Sequence, residues 1–204
     1  MKLNRWFAVT SVAAVVLAFA AARGAAQDAP AGDKPKYVGD KACQKCHFQE
    51  HKAWKKTNMA KAMDSLKPTE EAANKALFDK KKAAGLDPAK DYSTDAKCIK
   101  CHTTGFNAGG YPEKAETEEQ KKAQADFGKV SCEACHGPGE KYAKFKTDEL
   151  EKNKEAKFTA EQLAPMGLVK PDEKTCQGCH NADSPTKEEF KFAETKDKVH
   201  PTKK

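Results

Sequence analysis

Ser131-Cys132-Glu133-Ala134-Cys135-His136-Gly137-Pro138-Gly139 holds two cysteines separated by two residues and followed at once by a histidine. That order is the attachment signature of a c-type haem. The thiols of Cys132 and Cys135 add across the two vinyl groups of one porphyrin as thioethers, and His136 lies beneath the iron as its proximal ligand. Gly137-Pro138-Gly139 cannot prolong a helix, so the chain must turn away directly after the histidine.

The signature recurs three times, as Cys43-Gln44-Lys45-Cys46-His47, Cys98-Ile99-Lys100-Cys101-His102 and Cys176-Gln177-Gly178-Cys179-His180. All eight cysteines are used, in pairs, and each pair has its histidine. A structural zinc site built from paired Cys-x-x-Cys knuckles gives the following histidine no task. A disulfide scaffold gives it none either. A redox Cys-x-x-Cys is expected once, near a βαβ pattern that the sequence lacks. The cofactor reading is four covalently bound haem c groups, with His47, His102, His136 and His180 as proximal ligands. The first cysteines fall at 43, 98, 132 and 176, so the motifs are not a simple tandem repeat.

Basic residues Lys2 and Arg5 precede an apolar run from Trp6 to Ala22, and Gly24-Ala25-Ala26 offers small residues before Gln27. This reads as a signal peptide over 1–26, cut after Ala26, and therefore as a periplasmic protein. The apolar run is at the short end for a membrane span, so no stable span is expected in the mature form; an uncleaved anchor is the competing reading. Residues 27–40 read as a flexible Pro/Ala/Asp tether. Residues 41–204 form one domain, mainly α, wrapped around the four haems.

At a mean hydropathy of −0.85 the chain is too hydrophilic for an ordinary core. Burial of four flat apolar porphyrins replaces the missing aliphatic side chains, and the apoprotein is predicted to be largely unfolded. The signal carries Lys2, Arg5 and Arg23 and no acid, so cleavage lowers the formal charge from +7 by three to +4. Lysines alternate with glutamates as on a solvated surface. No basic run with interleaved aromatics is present, which argues against nucleic-acid binding.

Helical patterning covers His47 to Leu66, stopped by Pro68, and Thr69 to Ala84, opened by Thr69 as cap and closed by Gly85. Further helices are expected over Glu113 to Phe127 and Tyr142 to Phe158. Thr103 to Pro112, with Gly105, Gly109 and Gly110, is expected to be a loop whose backbone can approach a haem closely. Strand signals are weak throughout.

Several stretches beyond the motifs resemble the cytochrome c-554 family of tetrahaem electron carriers. They are Trp54-Lys55-Lys56-Thr57, Ala60-Lys61-Ala62-Met63, Ser65-Leu66-Lys67-Pro68, Leu86 to Tyr92, Gly105-Phe106, Gly109-Gly110-Tyr111, Cys132 to Gly139 and Phe190-Lys191-Phe192. The resemblance implies a mainly helical fold with stacked haem pairs, mostly bis-histidine iron and a five-coordinate haem at His102. It also implies a multihaem oxidoreductase as redox partner; a quinone-linked cytochrome is the alternative partner.

The chain has six histidines, which leaves only His51 and His200 outside the motifs. At least two haems therefore cannot be bis-histidine within one chain, a departure from the family pattern. The resemblance assigns His200 to the iron of His180. It places Met59 where the family has the distal histidine of the third haem, so Met59 is expected at the iron of His136. His51, one turn past His47, cannot reach the opposite face of the same haem and is expected at the surface or on a propionate. The family's distal histidine for the first haem has no counterpart between Gly137 and Val169. Lys141, Lys144, Lys146 and Met166 are the available substitutes, and an open position is the alternative.

The leading functional reading is electron relay between redox proteins, without catalysis. The rival is an enzyme that reduces a small nitrogen oxide such as nitric oxide at an open haem iron. The loop after His102 has no ionisable side chain except Tyr111 to support that chemistry.

Overall fold

The computed structural model describes residues 34–186 and 189–200. The segment read as a signal peptide lies outside the described residues, as does half of the expected tether. From Pro35 onward the chain forms one unit. No strand occurs among the described residues.

The motifs set the local structure. Helices α1 (Asp40–Gln44), α4 (Ala96–His102), α6 (Cys132–His136) and α9 (Glu173–Gln177) are each one or two turns long and carry the cysteines or lead into them. Between them lie α2 (Phe48–Trp54), α3 (Lys75–Ala83) and α5 (Glu118–Phe127). After α6 come α7 (Glu140–Lys152), α8 (Ala160–Leu163) and, in the tail, α10 (Phe192–Thr195). As the glycines require, α6 stops at His136, and Gly137 turns the chain away at φ +76°.

Several expected helices are shorter in the structure, each for a local reason. The stretch 47–66 is not continuous: α2 ends at Trp54 and a 3₁₀-helix resumes at Met59–Leu66. Thr57 Oγ1 donates to the Trp54 carbonyl at 2.7 Å, a side-chain bond that competes with the helical ladder. Trp54 Nε1 is meanwhile drawn off to the Val130 carbonyl at 2.9 Å. Thr69 is not a helix cap. Its N–H donates to Pro88 O, its hydroxyl accepts from buried Lys81, and α3 starts six residues later behind the true cap, Asn74. The third expected helix begins at Glu118, behind a Thr117/Gln120 capping box. The fourth spans Glu140–Lys152.

The apolar core is small, as the hydropathy demands. Leu66, Tyr92, Ile99, Tyr111 and Phe127 form its centre, with Tyr37, Met63, Leu86, Cys98, Phe106 and Ala123 packed around it. Ile99 is 1% exposed, so a residue between the two cysteines of the second motif anchors that motif in the protein.

The C-terminal part of the expected tether is structured. Tyr37 meets Phe127 edge-on at 6.0 Å, and Lys36 O accepts from Glu140 N. The loop after the second motif opens at Gly105, at φ +64°, with the Tyr37 ring over it: a Cβ there would lie 2.6 Å from Tyr37 Cζ. What this glycine admits is therefore an aromatic side chain. Gly105→Ala combines left-handed strain with overpacking and should cost about 2–3 kcal/mol. Thermal denaturation of the holoprotein measures it, and a loss below about 0.5 kcal/mol would show that the Tyr37 contact is not held in solution.

Candidate haem-attachment sites

None of the eight cysteines is in a disulfide. Among the described residues no three His, Cys, Asp or Glu side chains converge as a protein-built zinc site requires. Burial pushes the Cys135 thiol up to about 11 and Cys179 up to about 12, opposite to the activated thiolate of a redox dithiol. The thiols are free and half-buried to exposed, open to attachment.

The imidazoles are oriented from behind. His102 Nδ1 donates to the Ala62 carbonyl at 2.7 Å, and Ser65 Oγ lies 3.3 Å from the same nitrogen. His136 Nδ1 donates to the Val169 carbonyl at 3.2 Å, and Val169 N–H returns a bond to His136 O. Desolvation holds both rings below the usual histidine range, so both are neutral at pH 7. A ring whose Nδ1–H is committed to a carbonyl presents its Nε2 lone pair, the form a metal takes. His180 stacks on Phe190 at 4.6 Å between centroids.

The motifs are also neighbours in pairs. The Cys43 thiol lies against Cys132, which raises the first and lowers the second through their hydrogen bond. Cys179 is raised by burial and by adjacent Cys101. Lys100 and Asp183 form an ion pair at 3.6 Å beside that second contact. Cys135 and Cys176 interact as well. The first motif therefore lies against the third, and the second against the fourth.

Two polar clusters hold the arrangement. Glu133, the buried middle residue of the third motif, accepts from Val38 N (2.9 Å), Gly39 N (2.7 Å) and Gly139 N (2.7 Å), which ties the entry to the first motif onto the third. Thr104, fully buried, donates to Lys129 O at 2.7 Å and accepts from Ser131 N at 2.9 Å. It fastens the exit of the second motif to the entry of the third.

A family model for cytochrome c554 and c-prime matches residues 42–137, which contain the first three motifs. The solved reduced state of cytochrome c554 from Nitrosomonas europaea superposes with a TM-score of 0.65 at 30% identity, over 82% of this chain and 85% of that one. The chain belongs to the cytochrome c554 family. Cytochrome c-554 of Nitrosomonas europaea is 36% identical over 172 residues, 83% of this chain. The match spans 65% of that relative's length.

In this member of the cytochrome c554 family the candidate distal ligands have diverse surroundings. His51 is not at the surface. It is 4% exposed, with Nε2 on Asp40 Oδ2 at 2.8 Å and its ring against Trp54. His200 lies beside His136, with ring centroids 6.2 Å apart. Its Nδ1 is buried without a hydrogen-bond partner. Met59 is half-buried, and its carbonyl accepts from Val130 N, two residues ahead of Cys132. Of the candidates for the first motif, Lys144 is paired with Asp148 on its own helix at 2.8 Å. The segment holding Met166 packs by the third motif, where a Cβ on Gly137 would meet Gly167 O at 2.5 Å. The free thiols, the carbonyl-bound imidazoles and the orphaned His200 nitrogen together fit haem c.

Proposed function

We propose that the protein is a periplasmic tetrahaem electron carrier that relays single electrons between redox protein partners. The observation that carries this reading is the pairing of the motifs in space, the first with the third through Cys43 and Cys132 and the second with the fourth through Cys101 and Cys179. Bound haem c supplies reversible one-electron iron chemistry, tuned by axial ligands and burial. The chain's own part is attachment, orientation and exclusion of water. Cys43 and Cys46, Cys98 and Cys101, Cys132 and Cys135, and Cys176 and Cys179 provide the thioether sulfurs. His47, His102, His136 and His180 provide the proximal nitrogens. Ala62 O and Val169 O fix two of those rings. Among the described residues no helix is long and apolar enough to cross a membrane.

Intact mass of the exported protein should exceed that of the processed chain by four haems. Three or fewer in fully matured material would refute the cofactor count. Rapid electron exchange with a partner cytochrome, set against turnover with nitric oxide, separates the carrier from a reductase.

Met59 and His200 compete for the iron of His136. The closeness of the His136 and His200 rings, 6.2 Å between centroids, supports His200. Wild type should then lack the near-infrared charge-transfer band of methionine-ligated ferric haem. Its presence, and its loss in Met59→Ala, would assign the position to Met59.

A further inference from the structure

The amine of Lys146, on α7, lies 3.4 Å from Nε2 of His47. We propose that Lys146 is the sixth ligand at the iron held by Cys43, Cys46 and His47. The inference rests on the haem reading of the first motif given above.

Two observations converge on it. The contact is made with Nε2, the nitrogen that the proximal histidine of a c-type haem turns toward iron. Two nitrogens bound to opposite sides of one metal at about 2 Å each stand roughly 4 Å apart, so the two residues are already near the required separation. The ammonium form of Lys146 donates a hydrogen bond to the Nε2 lone pair of His47 over the same distance, and the resonance test below separates that bond from ligation.

The histidine count closes the alternatives from imidazole. Four of the six histidines lie in motifs, His51 is buried on Asp40, and His200 lies against His136. His200 also lies near enough to His47 to act on it electrostatically, but its ring is paired with that of His136. Among the lysines of α7, Lys144 is turned to Asp148, while Lys146 has no carboxylate partner among the described residues. The helix itself explains the choice. Val38 and Gly39 bind Glu133, and Lys36 O accepts from Glu140 N at the start of α7, so this helix is fastened to the entry of the first motif. Residues one and two turns on are thereby carried past His47.

Coordination requires the neutral amine. As the N–Fe bond forms, Lys146 releases one proton to water and no electron is transferred. The rival partner is the Phe158 ring, 5.9 Å from the same nitrogen, which would hold Lys146 as an ammonium.

The test is electron paramagnetic resonance of the ferric holoprotein. In Lys146→Ala one of the four haems should lose its low-spin signal and a matching high-spin signal should appear, with Lys144→Ala unchanged. Lys146→His should restore a low-spin signal of bis-imidazole type. Unchanged low-spin signals in Lys146→Ala with four haems attached would overturn the proposal and assign Lys146 to Phe158. A wild-type protein that lacks haem at Cys43 and Cys46 would instead refute the cofactor reading. If the alanine variant does not mature, wild type labelled with 15N-lysine decides: hyperfine coupling of one lysine nitrogen to low-spin iron supports ligation, and its absence overturns it.

Discussion

Glu133→Ala should destabilise the holoprotein by about 4 kcal/mol, and so lower its melting temperature by roughly 8–16 °C. Glu133 is 1% exposed, and its carboxylate receives the backbone N–H groups of Val38, Gly39 and Gly139. A buried donor stripped of its acceptor costs about 1–3 kcal/mol, and bonds to a charged acceptor lie at the upper end of that range. Alanine leaves three such donors at once. It also releases the segment that places Tyr37 against Phe127. Glu133→Gln keeps one acceptor oxygen and should lose about half as much. Denaturation followed through haem absorbance measures both variants. A loss below about 1 kcal/mol for alanine would mean that water replaces the carboxylate and that the first and third motifs are joined by other contacts.

The second large effect belongs to Asp40. One of its oxygens takes His51 Nε2 at 2.8 Å and the other takes Lys129 Nζ at 3.0 Å, with Asp40 only 6% exposed. Breaking one partner of a buried set of this kind costs about 3 kcal/mol, which is the loss expected for Asp40→Ala at pH 7. Burial by itself would raise the Asp40 carboxyl. The hydrogen bonds from His51 and Lys129 outweigh it and hold the group below its ordinary value. A depressed folded value means that the stabilisation is complete above the unfolded pKa, near ~3.9, and drains away as pH falls through the folded value. The gap in stability between wild type and Asp40→Ala should therefore be constant from neutral pH down to about pH 5 and narrow below about pH 4. A gap that stays constant in acid would show that Asp40 acts by packing alone.

Neither cluster was legible in the sequence. Glu133 and Ile99 occupy the variable positions between motif cysteines, where the haem chemistry itself makes no demand. Both are buried because of what lies across from them, Val38 and Gly39 in one case and the aromatic core in the other. Asp40 read as the end of a tether and His51 as a surface or propionate-bonding residue, yet they bury each other. Thr69 read as a helix cap because its neighbours Glu70 and Glu71 suit a first turn. Its N–H was already taken by Pro88 O, a partner nineteen residues along the chain. Local pattern could not reveal that competition.

What the sequence determined is whatever covalent order enforces. Each cysteine pair with its following histidine is specified by adjacency along the backbone, as is the turn at Gly137, since no packing is needed to define either. The same holds for the family, the export signal as a reading, and the shortage of histidines that rules out a uniform bis-histidine set. The tertiary structure alone decided which motifs are neighbours and which distant side chain faces each imidazole. Those pairings join residues tens of positions apart, Lys146 to His47 and His200 to His136 among them. They depend on where α7 and the tail pack, and on a few buried polar groups whose partners only folding brings together.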